Sequence, residues 1–178
     1  IEMRAFKQGS LDRFCSIYAV LNACNFMGLK LKKSEMQDFY DDVVERLIEQ
    51  GQFGEIALYG ADNKQLELVM KSADRFLSEN YGLKLCFVRP FWNQRFEIAK
   101  LCGYVSLHTS ENKAVITRVR SNDFDHWSVV KGIYSTQIQF FDSDDMAKIQ
   151  LNEISPVYKE AKHQICIRNL YCLELVKL

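Results

Sequence analysis

KQGSLDRFCSIYAVLNAC, residues 7–24, is the stretch from which the rest of the chain is read. A polar turn with Gly9 and Ser10 gives way at Cys15 to a helical pattern. Phe14, Ile17, Tyr18 and Leu21 recur at the spacing of one helix face. Cys15, Ser16, Ala19 and Ala23 form a second face of small residues that lets another element approach closely. A helix with one apolar and one small face is buried on most sides. Cys15 therefore stands where a polar turn meets a buried helix, at the positive end of the helix dipole, which favours thiolate over thiol. A thiolate is the species that attacks a carbonyl carbon. Gln8 lies just upstream in the pliable turn. Its amide can point to the same place as the Cys15 backbone N–H, and two such donors make an oxyanion hole.

Further along, Met36, Phe39, Tyr40, Val43, Val44, Leu47 and Ile48 follow the helical period behind a Ser34–Gln37 capping-box pair, and Gly51 stops the helix. A third helix starts with Asp62 as N-cap, buries Leu66, Val69, Met70, Ala73, Phe76 and Leu77, and ends at Gly82. After residue 82 the pattern changes. LKLCFV (83–88) reads as a strand and NQRFEIAKL (93–101) as a short helix. YVSLH (104–108), KAVITRV (113–119), HWSVVKGI (126–133), TQIQFFD (136–142) and the segment 163–176 read as strands. Residues 133–136 suit a tight hairpin connection. Helices first and antiparallel strands later is an α+β arrangement. With two prolines, no repeat and no linker-like tract, the reading is one continuous domain over 1–178, helical to about 82 and sheet from about 83.

Two further strings carry chemistry. In DHWSVVKGI (125–133) His126 opens an apolar strand. In QFFDSDD (139–145) Asp142 closes the next one. If these strands pair as a hairpin, Asp142 returns close to His126, where a carboxylate fixes the imidazole tautomer and supports the imidazolium. Each residue alone has a plainer reading. Cys15 can be one more buried thiol, His126 a strand-end histidine bonded to backbone, and Asp142 with Asp144 and Asp145 a solvated turn. Their joint order favours catalysis: glutamine, helix-opening cysteine, strand-opening histidine, strand-ending aspartate.

The string QGSLDRFCSIYAVLNA (8–23) resembles the cysteine box of papain-fold peptidases, in which a glutamine precedes a helix-capping cysteine. DHWSVVKGI followed by QFFDSDD is similar to the His and Asp boxes of the peptidase C39-like group. The resemblance covers three short boxes and implies a papain-like fold. It also implies Cys15 as nucleophile, His126 as general base, Asp142 as orienting residue and Gln8 as oxyanion donor. Ser16 departs from the pattern, since a glycine commonly follows the nucleophile. The expected activity is cleavage of an amide bond in a peptide or protein. Deamidase, acyltransferase and transglutaminase chemistry use the same constellation, and a retired binding module is the non-enzymatic alternative.

Composition narrows the field. Lys plus Arg and Asp plus Glu both number 23, so the basic excess of a nucleic-acid binder is missing. RPFWNQRF (89–96) is the one stretch with aromatics and basic residues suited to stacking on bases, and core packing of Phe91, Trp92 and Phe96 is the simpler account. Six cysteines without CxxC spacing read as free thiols in a reducing, cytoplasmic setting. Three histidines without HxxxH spacing give no zinc site, so neither cofactor nor metal is expected. No apolar run reaches the ~18 residues of a membrane span, and residues 1–10 hold no apolar signal-peptide core. The position of Cys15 makes it the fastest of the six cysteines to alkylate at neutral pH. Timed iodoacetamide labelling with peptide mapping checks this, and a native Cys24 or Cys86 that reacts as fast contradicts it.

Overall fold

The hydrophobic period changes once, near residue 82, and the structure divides there. The computed structural model describes residues 5–7, 13–93, 97–155 and 161–178. Helices α1 (Cys15–Phe26), α2 (Lys33–Glu49), α3 (Phe53–Tyr59) and α4 (Asn63–Tyr81) precede the first strand. Strands β1 (Leu83–Val88), β2 (Lys113–Arg120), β3 (Asp125–Tyr134), β4 (Gln137–Phe141), β5 (Lys148–Gln150), β6 (Ile154–Ser155) and β7 (His163–Lys177) follow. Helix α5 (Ile98–His108) lies between β1 and β2. The sheet runs in the order β1-β7-β2-β3-β4-β5 with antiparallel neighbours, and β6 joins β7 in parallel. The α+β expectation is met.

Both faces of the sheet are covered. Along β2, Ala114 and Ile116 pack with α1, α2 and α4, while Val115 and Val119 pack in a second cluster with Leu101 and Val105 of α5. This follows from the two-residue repeat of a strand, which turns successive side chains to opposite faces. Helix α1 lies against β2 and β3 and also touches α2 and α4. Nine of its twelve residues are buried, so it is the central rod of the helical side. Ile17 and Val20 are fully buried, and each such side chain contributes roughly 1.5–3 kcal/mol.

Helix ends follow ordinary capping chemistry. Asp62 accepts the Gln65 N–H at 2.8 Å while its own N–H donates to the Gln65 side chain at 2.9 Å. Gly82 then ends α4 in the left-handed region, at φ 63 and ψ 31, where glycine carries no Cβ penalty. The start of α2 corrects the reading from sequence. The reciprocal partner is Glu35, whose carboxylate accepts the Lys32 N–H at 2.6 Å, and Gln37 instead donates to Asp41 along the helix. YVSLH is also corrected. It forms the second half of α5, where Leu101 and Val105 are the buried pair and Tyr104 stacks on His108 at 3.8 Å. Trp92 is exposed rather than packed in the core, Phe91 packs on Tyr104, and Phe96 lies outside the described residues. On α4, Asp74 accepts the N–H of Leu85 at 2.7 Å, so a helix side chain occupies a backbone donor of the outermost strand β1.

One buried polar residue ties the chain's beginning to α1. Asn22 is almost fully buried. It accepts the Phe6 N–H at 2.7 Å and donates to the Phe6 carbonyl at 3.2 Å. Asn22→Ala removes both bonds and strands two backbone groups, which costs about 1–3 kcal/mol. That exceeds the roughly 0.5 kcal/mol alanine gains in helix preference. Urea denaturation should therefore show a lower midpoint with an unchanged slope.

Candidate active site

Cys15 is the first residue of α1, preceded by Phe14 at the N-cap. No side chain among the described residues caps this helix end. The Phe14 carbonyl accepts the N–H groups of Ile17 and Tyr18. The positive end of the helix and its earliest N–H groups therefore lie beside the sulfur. Cys15 is only 6% exposed, yet it lines a cleft of about 350 Å³ together with Arg13, Tyr59, Gly60, Asp123, Phe124, Asp125, His126 and Asp144.

The hairpin of β3 and β4 brings the other groups there. Val129 pairs with Phe141, so extending the register by one step sets Asp142 opposite Ser128. His126 lies two residues further along the same face, a diagonal neighbour within reach of side chains. The observed bond agrees: His126 Nε2 lies 2.8 Å from Asp142 Oδ2, with both residues buried. The other carboxylate oxygen accepts the backbone N–H of Asp144 at 2.7 Å and of Met146 at 3.2 Å. Asp142 is thereby fixed in orientation before it meets the ring. Asp144 is exposed, lines the cleft, and serves Asp142 through its backbone.

Since Nε2 is taken by Asp142, Nδ1 is the ring nitrogen left for the sulfur. The electrostatics follow from that pairing. Burial disfavours the charged ring, but hydrogen bonding and charge from Asp142, and then from Cys15, outweigh it and raise the His126 pKa from 6.5 to about 10. For Asp142, burial works to raise its pKa, yet the hydrogen bond and charge of His126 hold it below the ordinary carboxylate value. Both directions describe one ion pair.

The strand carrying His126 is braced on each side. The carboxylate of Asp125 takes two bonds from Arg118, at 2.6 and 2.9 Å, and one from Arg120 at 2.9 Å. Trp127 is buried, and its Nε1–H donates to the Ala61 carbonyl at 2.7 Å. Lys7 forms an ion pair with Asp145, which links the segment before the cysteine to the turn after Asp142. Of the four residues singled out in sequence, Cys15 and His126 line this cleft, Asp142 bonds the His126 ring, and Gln8 lies outside the described residues. Sequence reasoning missed Tyr59, Gly60 and Phe124 as cleft residues. No local pattern in the sequence marked the first two.

With this geometry in view, comparison with known proteins is informative at the level of fold. The peptidase domain of Streptococcus ComA, a bi-functional ABC transporter involved in a quorum-sensing pathway, superposes with a TM-score of 0.55. The match covers 99% of this chain and 100% of that one at 10% identity. The fold is that of a papain-like, C39-type peptidase domain. No family model and no curated protein matches the sequence. Among the described residues, no helix is long and apolar enough to cross a membrane.

The pH dependence of stability follows from the ion pair. His126 has a folded pKa above its unfolded one. Its contribution is complete below the unfolded value and is lost as pH rises through the folded one. Wild-type protein should therefore lose thermal stability between about pH 7 and about pH 10, while His126→Gln, which lacks the titrating ring, changes less over the same window. Parallel melting curves at several pH values give the comparison. Equal slopes for the two proteins would contradict the assignment.

Proposed function

We propose that the protein is a thiol-dependent hydrolase that cleaves an amide bond in a peptide or protein substrate, with Cys15, His126 and Asp142 as its triad. The observation that carries this reading is the His126–Asp142 bond at 2.8 Å behind a helix-opening cysteine that shares its cleft. In this reading the ring holds its proton through the neutral range, and the Cys15 thiolate attacks the substrate carbonyl. A tetrahedral oxyanion forms beside the Cys15 backbone N–H, where the start of α1 supplies positive potential. Gln8 is proposed as the second donor, on the family resemblance. His126 then gives its proton to the leaving amine, the C–N bond breaks, and a thioester remains on Cys15. Water attacks the thioester and gives its proton to the now neutral ring, which releases the acid and restores the starting pair. Asp142 holds Nε2 throughout and supports the charged ring. The raised pKa of His126 makes its first role that of an acid.

Ser16, the departure from the family pattern, does not stand against an enzyme. It is fully buried and does not line the cleft, so its hydroxyl does not obstruct the sulfur. Likeness in fold to a peptidase domain adds weight to peptide substrates. All six cysteines are free, which fits a reducing, cytoplasmic setting for thiol chemistry.

The test is a set of variants assayed on a peptide library with mass-spectrometric detection. Cys15→Ala should abolish turnover while leaving the melting temperature close to wild type. Asp142→Asn should lower kcat by at least about tenfold, because the ring loses its charged partner. Asp144→Asn should change it little, since Asp144 acts on Asp142 through its backbone N–H. Turnover retained in Cys15→Ala would sink the proposal.

A further inference from the structure

The part of the cleft wall contributed by the end of α3 and the residue after it is chemically distinct from the triad. Tyr59 is a large aromatic residue at 76% exposure, on a protein whose other rings are mostly packed. It lines the cleft that holds Cys15 and His126, and Phe124 lines it too. Tyr59 is the last residue of α3. Gly60 follows it at φ 75 and ψ 176, a backbone state essentially confined to glycine. Ala61 is then buried, and its carbonyl takes the Trp127 indole N–H at 2.7 Å. Trp127 is the residue after His126. The junction that follows Tyr59, the last residue of α3, is thus bonded to the strand bearing the imidazole, one residue away from it.

An aromatic surface is thereby presented in the cleft of Cys15 and His126 without being buried, and packing does not explain the ring's position. From this we infer that Tyr59 is a specificity-determining residue, whose ring takes an apolar or aromatic side chain of the peptide beside the scissile amide. The inference rests on the hydrolase reading of the same cleft. The charge around the ring points the same way. Asp125 is occupied by two arginines, whereas Asp123 and Asp144 are exposed at the cleft with no ion pair to another described residue. Arg13 is the lining cation besides His126. An acidic substrate side chain in this cleft meets two exposed carboxylates against one arginine, while an apolar one gains the ring.

Peptidyl vinyl sulfones test the idea, because the Cys15 thiol adds across their double bond without needing a turnover substrate. A series carrying Leu, Phe, Lys or Asp next to the warhead is reacted with wild type, Tyr59→Ala and Tyr59→Phe. Labelling at Cys15 is mapped, and each rate is divided by that protein's rate with iodoacetamide, which has no peptide to recognise. Wild type and Tyr59→Phe should prefer Leu or Phe over Asp by about tenfold or more, and Tyr59→Ala should lose most of that preference. A preference that survives in Tyr59→Ala overturns the inference while leaving the hydrolase reading intact. An iodoacetamide rate that falls in Tyr59→Ala as much as the probe rates also overturns it, because the ring then shapes the site rather than selecting substrate. If no peptidyl probe outpaces a peptide-free vinyl sulfone on wild type although iodoacetamide labels Cys15, peptide recognition itself fails and both readings fall.

Discussion

Packing of α1 against the β2–β3 face is the constraint on which the site depends. The sulfur sits on the first turn of the helix and the imidazole near the start of β3, so their separation is set by how the two elements meet. Because α1 is buried on nearly all sides, it has little freedom to slide or rotate. Small residues at Ser16, Ala19 and Ala23 permit the close approach, and Asn22 fastens the preceding segment to the same rod. The position of the Cys15 sulfur therefore follows from packing.

The hairpin adds the second requirement, which is orientation of the His126 ring. A ring with one nitrogen held by a doubly anchored carboxylate has only the other nitrogen to offer. The backbone N–H groups of Asp144 and Met146 fix the carboxylate, and the β3–β4 register fixes where it starts. Burial makes the arrangement energetically sensitive: the environment that would expel a lone charge strengthens a paired one.

Much of this was legible in residue order. The apolar and small faces of residues 14–23, the period of α2 and α4 and the alternation of β2, β3 and β4 all follow from patterns several turns or pairs long. The meeting of His126 and Asp142 followed from assuming a hairpin between two adjacent strands. What escaped the reading lay in short or ambiguous segments. Helix α3 has seven residues, too few for a period to repeat. YVSLH read alone suits a strand, and only the i,i+4 pairs Leu101–Val105 and Tyr104–His108 across the whole of α5 reveal a helix. The α2 cap was shifted because both Gln37 and Glu35 sit near the start, and the backbone bond to Lys32 decides between them. Tyr59 was invisible because its importance comes from a tertiary bond, between Trp127 and Ala61, that no local pattern announces.

The bond from Leu85 to Asp74 has a consequence of another kind. β1 is an outer strand, paired with β7 on one side only. Bare outer strands invite a second chain to add on, which leads to fibres and swapped dimers. The α4 carboxylate takes a donor that an incoming strand would need, and at the opposite border β5 is only three residues long. A chain carrying 48% hydrophobic residues and no net charge has weak long-range repulsion between copies. Its two sheet borders are finished differently, one by a helix carboxylate and the other by brevity.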